Sequence, residues 1–433
     1  MSSSRPSAER IADLVAPIYP DEIVGAFEMV APMANALDWT PNAILDKACE
    51  ETGLDDFGDD LHVEPLSVLA PAMIGEGELS TLGQLSNHGT LVGYAKQKLL
   101  VADLLKRHPE IHDIEVERPV VIAGQGRTGT THLHNLMASD RAFRTMPYWE
   151  SVEPVPSVSE QGIDYGANDE GDPRFQRCTA TLAGLNGALP YFKRMHDMYP
   201  EHVHEEIALL AIPYGGMAPE TMAIMPTWRD WYLASDQVPF YEYMKTMLKV
   251  LSFLGRGSER DASRWLLKSP QHVERLGDLM TVFPDATVIC THRDPVAVAK
   301  SMSTMLTYTS RMSRNPEKLA DVGCYWVDRM ATMFRSMADD RHLVPADQSI
   351  DVAFHEFMAD DAAMVKRIYN LADQPYGEAT AEAMAAYMDA HPRGVHGSVS
   401  YHIEEDFGTD IDALTARLGF YLDQFGVEKE GAR

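Results

Sequence analysis

The stretch from Arg118 to Leu136 (RPVVIAGQGRTGTTHLHNL) constrains the fold more than any other part of the chain. Its apolar, β-branched run, residues 120–123, has the length of a buried parallel strand. Gly124, Gly126 and Gly129 then demand a tight turn, and apolar residues return at helical spacing in Leu133, Leu136 and Met137. Strand, glycine turn and helix in that order aim unpaired backbone N–H groups and the positive helix end at one spot, where an anion binds. The stretch reads as a cradle for a phosphate or phosphosulfate group. A glycine turn that serves only helix packing is the plainer alternative.

Two nucleotide motifs share this spelling. Gly124-x-Gly126-x-x-Gly129 matches the dinucleotide fingerprint, which needs a second strand ending in an acidic residue about 20 positions on. Glu150 has that offset, but residues 141–148 (RAFRTMPY) are too basic and broken to predict a buried strand. The loop also resembles a Walker motif in which Thr130-Thr131 replaces Lys-Ser or Lys-Thr. The missing lysine argues against an ordinary ATPase or kinase. A cation stands inside the loop instead: Arg127, with the Thr130 and Thr131 hydroxyls opening the helix, suits an anionic terminal group.

Composition narrows the partners. The formal charge of −28 argues against nucleic acid, whose phosphates need a basic face. An acidic chain that binds a polyanion must gather its cations locally. At 433 residues and 45% hydrophobic content, two to three domains or one large α/β core with additions is expected. Cys49, Cys178, Cys290 and Cys324 form no CxxC pair, which suits a reducing cytoplasm and argues against a disulfide framework or structural zinc. The polar start and the lack of a long charge-free apolar run predict neither signal peptide nor membrane span. A cytoplasmic protein is expected, and nothing in the sequence sets its oligomeric state.

Along the chain, residues 8–16, 20–37, 41–54 and 91–108 carry helical apolar spacing, with an acidic connector at 58–67. Residues 1–115 are therefore expected to form a helical cap or substrate-side region, and 116–433 an α/β domain with helical insertions at about 150–260. Residues 161–173 read as loop. The segment 217–250, rich in Met, Trp and Tyr, suits either an apolar ligand surface or plain core. A second strand–helix unit follows: strand 265–267 ends at Lys268-Ser269-Pro270, helix 272–283 leads to strand 286–290, and Arg293 and Ser301 follow that strand. Strand 349–354 and helices 359–372, 378–390 and 411–425 complete the pattern. Charged residues delivered at strand ends mark the ligand edge of an open α/β sheet. If a helix begins near Pro295, Ser301 lies about two turns in and faces back to the strand end, so Arg293 and Ser301 make a second phosphate clamp. A strand-end arginine bridging Asp294 is the plainer reading. Residues 202–206 (HVHEE) lack the H-E-x-x-H metal spacing and read as a substrate-side or solvated segment.

Taken together, Gly126 to Thr131, Lys268-Ser269-Pro270 and the Arg293–Ser301 pair resemble the sulfotransferases that use 3′-phosphoadenylyl sulfate (PAPS). The Trp149-Glu150 and Lys268 to His272 segments are similar to the bacterial branch of that superfamily. The resemblance runs from about residue 119 to 425. It implies a three-layer α/β/α sandwich with a central parallel sheet of the P-loop NTPase kind, beside the helical N-terminal region. It also implies that Gly126, Arg127, Thr128, Gly129, Thr130 and Thr131 hold the donor's 5′-phosphosulfate and that Arg293 and Ser301 hold its 3′-phosphate. Arg393 and Gly394, in Arg393-Gly394-x-x-Gly397, resemble the loop that closes over that phosphate in cytosolic members. Arg127 stands where many cytosolic members have lysine, and Pro392 where they often have a second cation.

Within that resemblance Lys268 neutralises the bridging oxygen as the donor bond breaks, with no metal required. Glu150 and His272 are the alternative general bases for the acceptor hydroxyl, Glu150 being favoured by its place after the cradle helix. The expected function is sulfuryl transfer from PAPS to the hydroxyl of a small apolar acceptor. The competing readings are a nicotinamide-dependent oxidoreductase and a non-catalytic nucleotide-binding module.

Overall fold

The apolar run at the head of the cradle is the middle strand of a five-stranded parallel sheet. In chain order the strands are β1 (Val120–Gly124), β2 (Phe143–Arg144), β3 (Arg264–Ser269), β4 (Thr287–His292) and β5 (Ser349–Ala353), arranged β2-β3-β1-β4-β5. Val120 is in register with Leu266 on one side and Thr287 on the other. The computed structural model describes residues 8–163, 169–258, 260–392 and 394–430.

Every residue of β1 and β4 is buried, as expected when helices cover both faces of a parallel sheet. The alternation of strand side chains then feeds two separate cores. Val121, Ala123, Trp265, Leu267, Val288 and Cys290 point into one, Val120, Ile122, Leu266 and Ile289 into the other. The first core is shared with the N-terminal helices, through Ile44, Leu66 and Leu91, and with the long helix Val238–Leu254. The second is covered by the cradle helix Thr130–Ala138 and the helix Asp361–Leu371. This is the three-layer α/β/α arrangement expected from the sequence. Among the described residues no helix is long and apolar enough to cross a membrane.

Several local expectations need correction. Residues 8–16 are not helical: Glu9 makes a parallel bridge to Val399, and Ile11 and Leu14 drop into a small cluster with Leu189, Met195 and Tyr308. Their spacing serves burial alone, and Pro17 and Pro20 close the segment. The acidic connector is shorter than predicted, because the helix Val63–Glu76 begins inside it. The residues 217–250 are core rather than ligand surface, with Trp228, Tyr232, Tyr241, Met244 and Met247 all sealed from solvent. The 22-residue helix Leu319–Asp340, against the helix Pro295–Ser310, was not anticipated.

The most instructive correction is β2. A strand in residues 141–148 was excluded because the stretch is basic, yet Phe143 and Arg144 pair with Arg264 and Trp265 and are both buried. Arg144 tolerates complete burial because Glu150 takes its charge, with Nη2 donating to both carboxylate oxygens at 2.9 Å, and because its guanidinium lies over the Trp265 ring at 4.6 Å. Removing one member of such a pair strands the other charge in a dry interior. Arg144→Ala is expected to destabilise the protein by ~3–5 kcal/mol in urea unfolding; a loss below ~1 kcal/mol would show that the pair does not hold the sheet edge.

Candidate active site

At the end of β1 the chain turns with Arg127 at φ +71° and Gly129 at φ +90°. The turn is possible because Gly124 carries no side chain: a Cβ there would lie 1.8 Å from the Thr291 hydroxyl oxygen on β4. Thr128 fastens the turn. Its hydroxyl donates to the Gln125 carbonyl at 2.6 Å and sits 2.7 Å from the Thr291 hydroxyl, so it braces the loop from behind. Gly126 lies against Met302, where a Cβ would come within 2.7 Å of the sulfur. Thr130 is buried and Thr131 faces an open cleft. Among the described residues nothing accepts a hydrogen bond from the N–H groups of Arg127, Gly129, Thr130 and Thr131, so the helix start keeps its donors for an anion.

The second predicted clamp meets the first directly. Arg127 Nε donates to Ser301 Oγ at 3.0 Å, and Arg293 Nη1 donates to the Arg127 carbonyl at 2.6 Å. Arg293 also stacks over Phe354 at 4.2 Å and grips a carboxylate near the chain end, Nε and Nη2 reaching the two oxygens of Glu430 at 2.5 and 2.8 Å. Gly394 lines the same cleft as Arg127, with φ +76°. Arg393 lies outside the described residues.

Lys268, next to last in β3, is almost fully buried and is held by two consecutive carboxylates. Its ammonium pairs with Glu205, and its backbone N–H donates to Glu206 Oε2 at 2.8 Å. The other oxygen of Glu206 accepts from His272 Nε2 at 2.5 Å, and Tyr241 donates its hydroxyl to His272 Nδ1 at 2.8 Å. Both nitrogens of His272 are therefore occupied, and its side chain is sealed from solvent. Glu150, the other predicted base, is closed off by Arg144 and does not line the cleft. The glycine loop, Arg293 and Ser301 are thus brought together, whereas Glu150 and His272 serve buried networks.

The cleft, about 410 Å³, runs between the cradle, residues 193–202, the last turn of the helix Glu378–Ala390, and residues 391–392 and 394–397. In an acidic chain it gathers Arg127, Lys193, Arg194 and several histidines. Burial, reinforced by Lys268, pushes the His202 imidazole down to about 4. Burial likewise holds His134, His196 and His204 well below the usual histidine range, with Lys268 and His202 adding repulsion. These rings are neutral at physiological pH. Among the described residues no group of three or more His, Cys, Asp or Glu side chains is placed to hold a metal ion.

A sequence model of the sulfotransferase family matches residues 119–378, from the edge of β1 to beyond β5. The chain belongs to the sulfotransferase family. It is similar to omega-hydroxy-beta-dihydromenaquinone-9 sulfotransferase Stf3 of Mycobacterium bovis, 21% identical over 326 residues that cover 72% of this chain and 76% of that protein. Sulfotransferase STF1 from Mycobacterium tuberculosis superposes with a TM-score of 0.74 at 26% identity, covering 88% of this chain and 98% of its own. Sulfotransferase STF9 from Mycobacterium avium gives 0.78 at 24% identity, covering 92% and 99%, a likeness of fold.

As a sulfotransferase the protein is an enzyme, and the nicotinamide reading of its glycine loop falls away. That reading needs an acidic residue free after the second strand; Glu150 is instead spent on Arg144. What the sequence reading missed is the partnership of residues 193–206 with Lys268 and the cleft. Its signal was present in the clustering of His196, His202, His204, Glu205 and Glu206, but no spacing rule connects that loop to β3. The loop's dependence on an absent side chain can be tested. Gly124→Ala, which drives a methyl into Thr291, is expected to cost ~1–3 kcal/mol of stability by overpacking. It should also abolish protection of the sulfotransferase by adenosine 3′,5′-bisphosphate in thermal unfolding. An unchanged ligand shift would disconnect the Gly124–Thr291 approach from anion binding.

Proposed function

We propose that this sulfotransferase takes its sulfuryl group from 3′-phosphoadenylyl sulfate and passes it to the hydroxyl of a small, largely apolar acceptor. The observation that carries the donor assignment is the direct contact of two anion clamps, Arg127 with Ser301 and Arg293 with the Arg127 carbonyl. A donor with phosphosulfate at one end and a 3′-phosphate at the other needs two clamps at neighbouring positions. In this reading the N–H groups of residues 126–131 and the Arg127 guanidinium hold the 5′ end, while Arg293, Ser301 and the loop carrying Arg393 and Gly394 hold the 3′-phosphate.

The chemistry asks for charge stabilisation more than covalent help. As acceptor oxygen approaches sulfur, the bond from sulfur to the 5′-phosphate oxygen lengthens and negative charge grows on that oxygen. Lys268, buried beside the cradle with an ammonium now held by Glu205, supplies the positive charge. The acceptor class rests on two supports: Met195, Tyr199 and Tyr387 offer apolar surface in the cleft, and the relative Stf3 is named for a menaquinone-derived substrate. Residues 217–250, being core, no longer contribute to it.

Calorimetry with adenosine 3′,5′-bisphosphate tests the donor reading. The wild-type protein is expected to bind, Arg293→Ala to bind at least tenfold more weakly, about 1.4 kcal/mol or more. Because Glu430 occupies Arg293, the ligand must displace it, so Glu430→Gln is expected to bind several-fold more tightly. No binding by the wild type, or equal affinity in Arg293→Ala, would overturn the assignment. Lys268→Met should lower kcat by about 10²–10³-fold while bisphosphate affinity changes far less; equal losses in both would make Lys268 a binding residue only.

A further inference from the structure

An acceptor hydroxyl cannot complete the transfer with its proton in place, and the residues expected to remove it are occupied. Both oxygens of Glu150 accept from Arg144. Both nitrogens of His272 and both oxygens of Glu206 are bonded within a sealed network. Glu205 is ion-paired with Lys268. The cleft needs a group with a free lone pair, uncharged at working pH, beside the cradle.

His202 meets those conditions. It lines the cleft with Arg127 and Thr131 and is only 4% exposed. Its Nδ1 is shut off from solvent and makes no hydrogen bond of ordinary geometry, having only a weak contact with the Val203 backbone. Among the described residues nothing bonds Nε2, the ring nitrogen left to the cleft. The ring is wedged edge-on among aromatic neighbours, 5.6 Å from His196, 5.4 Å from Tyr199 and 6.5 Å from His204. Lys268 from β3 and His134 from the cradle helix share its surroundings electrostatically. All of the nearby imidazoles are held neutral by burial; Lys268 is the charge that bears on the His202 ring, while Arg127, Lys193 and Arg194 line the same cleft.

Its backbone is fixed by the segment that follows the cradle helix. Tyr148 N–H donates to the His202 carbonyl at 2.8 Å, Trp149 N–H to Pro200 at 3.1 Å, and His204 N–H to Met146 at 2.7 Å. The Trp149-Glu150 segment thus bears on the proton transfer by positioning this histidine. A ring held so rigidly is the kind of preorganised acceptor that general-base catalysis needs.

We propose that His202 is the general base, a role that rests on the donor reading above. The acceptor oxygen forms its bond to sulfur, the sulfur–oxygen bond to the 5′-phosphate breaks, and that electron pair leaves on adenosine 3′,5′-bisphosphate. The hydroxyl proton passes to His202 Nε2 and then to solvent. Arrival of the donor's negative charge offsets the repulsion from Lys268, which raises the basicity of His202 at the moment it is needed.

Two measurements on the 433-residue chain test this. Histidine-selective ¹⁵N NMR of the complex with adenosine 3′,5′-bisphosphate at pH 7, with the signal assigned by its loss in His202→Gln, is expected to show a neutral ring protonated at Nδ1. A charged ring, or a proton resident on Nε2, overturns the proposal whatever the acceptor. In transfer from PAPS to the best acceptor of a panel of primary alcohols and phenols, His202→Gln is expected to lose about 10²–10⁴-fold in kcat. Its affinity for adenosine 3′,5′-bisphosphate should stay within about threefold of wild type, which also reports a folded protein, and added imidazole should restore part of the activity of His202→Ala. Turnover of His202→Gln within about threefold of wild type overturns the role and leaves the donor reading intact. Loss of bisphosphate binding by the wild type strikes the donor reading instead.

Discussion

Two threonine hydroxyls, Thr128 and Thr291, meet 2.7 Å apart where the glycine loop crosses the end of β4, and the rest of the site depends on that closeness. It exists only because Gly124 leaves the space that Thr291 fills. With the loop pressed onto β4, the left-handed turn at Arg127 sends its side chain across to Ser301 and its carbonyl towards Arg293. One steric permission at the end of β1 therefore sets the spacing of Arg127, Ser301 and Arg293. A positive φ at a residue with a Cβ is mildly strained, and here the strain sits where the surrounding contacts over-determine it.

Charge is handled by the same economy of contacts. A chain of net charge −28 has to present cations to a polyanion while keeping them from repelling one another. Each is given an internal partner: Arg293 has Glu430, Lys268 has Glu205, and Arg127 donates to Ser301 and to the Met195 carbonyl. An ammonium buried without a partner costs several kcal/mol, so the partners stabilise the site while no donor is bound. A bound donor would then exchange one anion for another, a smaller rearrangement than charging an empty site.

How far the sequence could be read follows from which interactions are local. The cradle was legible because strand, turn and helix are contiguous and each has its own residue signature; the placing of Arg293 and Ser301 near it was legible because one strand–helix junction carries both, although Ser301 bonds Arg127 and Arg293 bonds the Arg127 carbonyl. The parallel sheet followed from the spacing of those units. β2 was not legible, since the burial of Arg144 depends on Glu150 and on Trp265, far away in sequence. The same pairing explains why Glu150 looked available to chemistry. The apolar residues of 217–250 were ambiguous for a different reason: core and ligand surface use the same side chains, and only packing tells them apart. His202 carries no motif, and its place beside Lys268 arises from loop pairing that no periodicity encodes.

The two adjacent glutamates show how one residue can be both fixed and free. Glu206 spends its oxygens on partners that do not move, the Lys268 backbone N–H and the sealed His272, itself backed by Tyr241. Its carboxylate anchors the end of β3 to the loop before it. Glu205, with a side chain 21% exposed, holds only the ammonium. A more exposed ion pair is worth less and exchanges more readily than a buried one. The backbone of Lys268 is thereby locked at the strand end while its ammonium is held by the more exposed of the two carboxylates. A lysine bonded at both points by buried groups would be rigid but already neutralised; one bonded at neither would lose its position along with its constraint. The division between neighbouring carboxylates avoids both, and it works because successive residues of that loop face different parts of the same strand end.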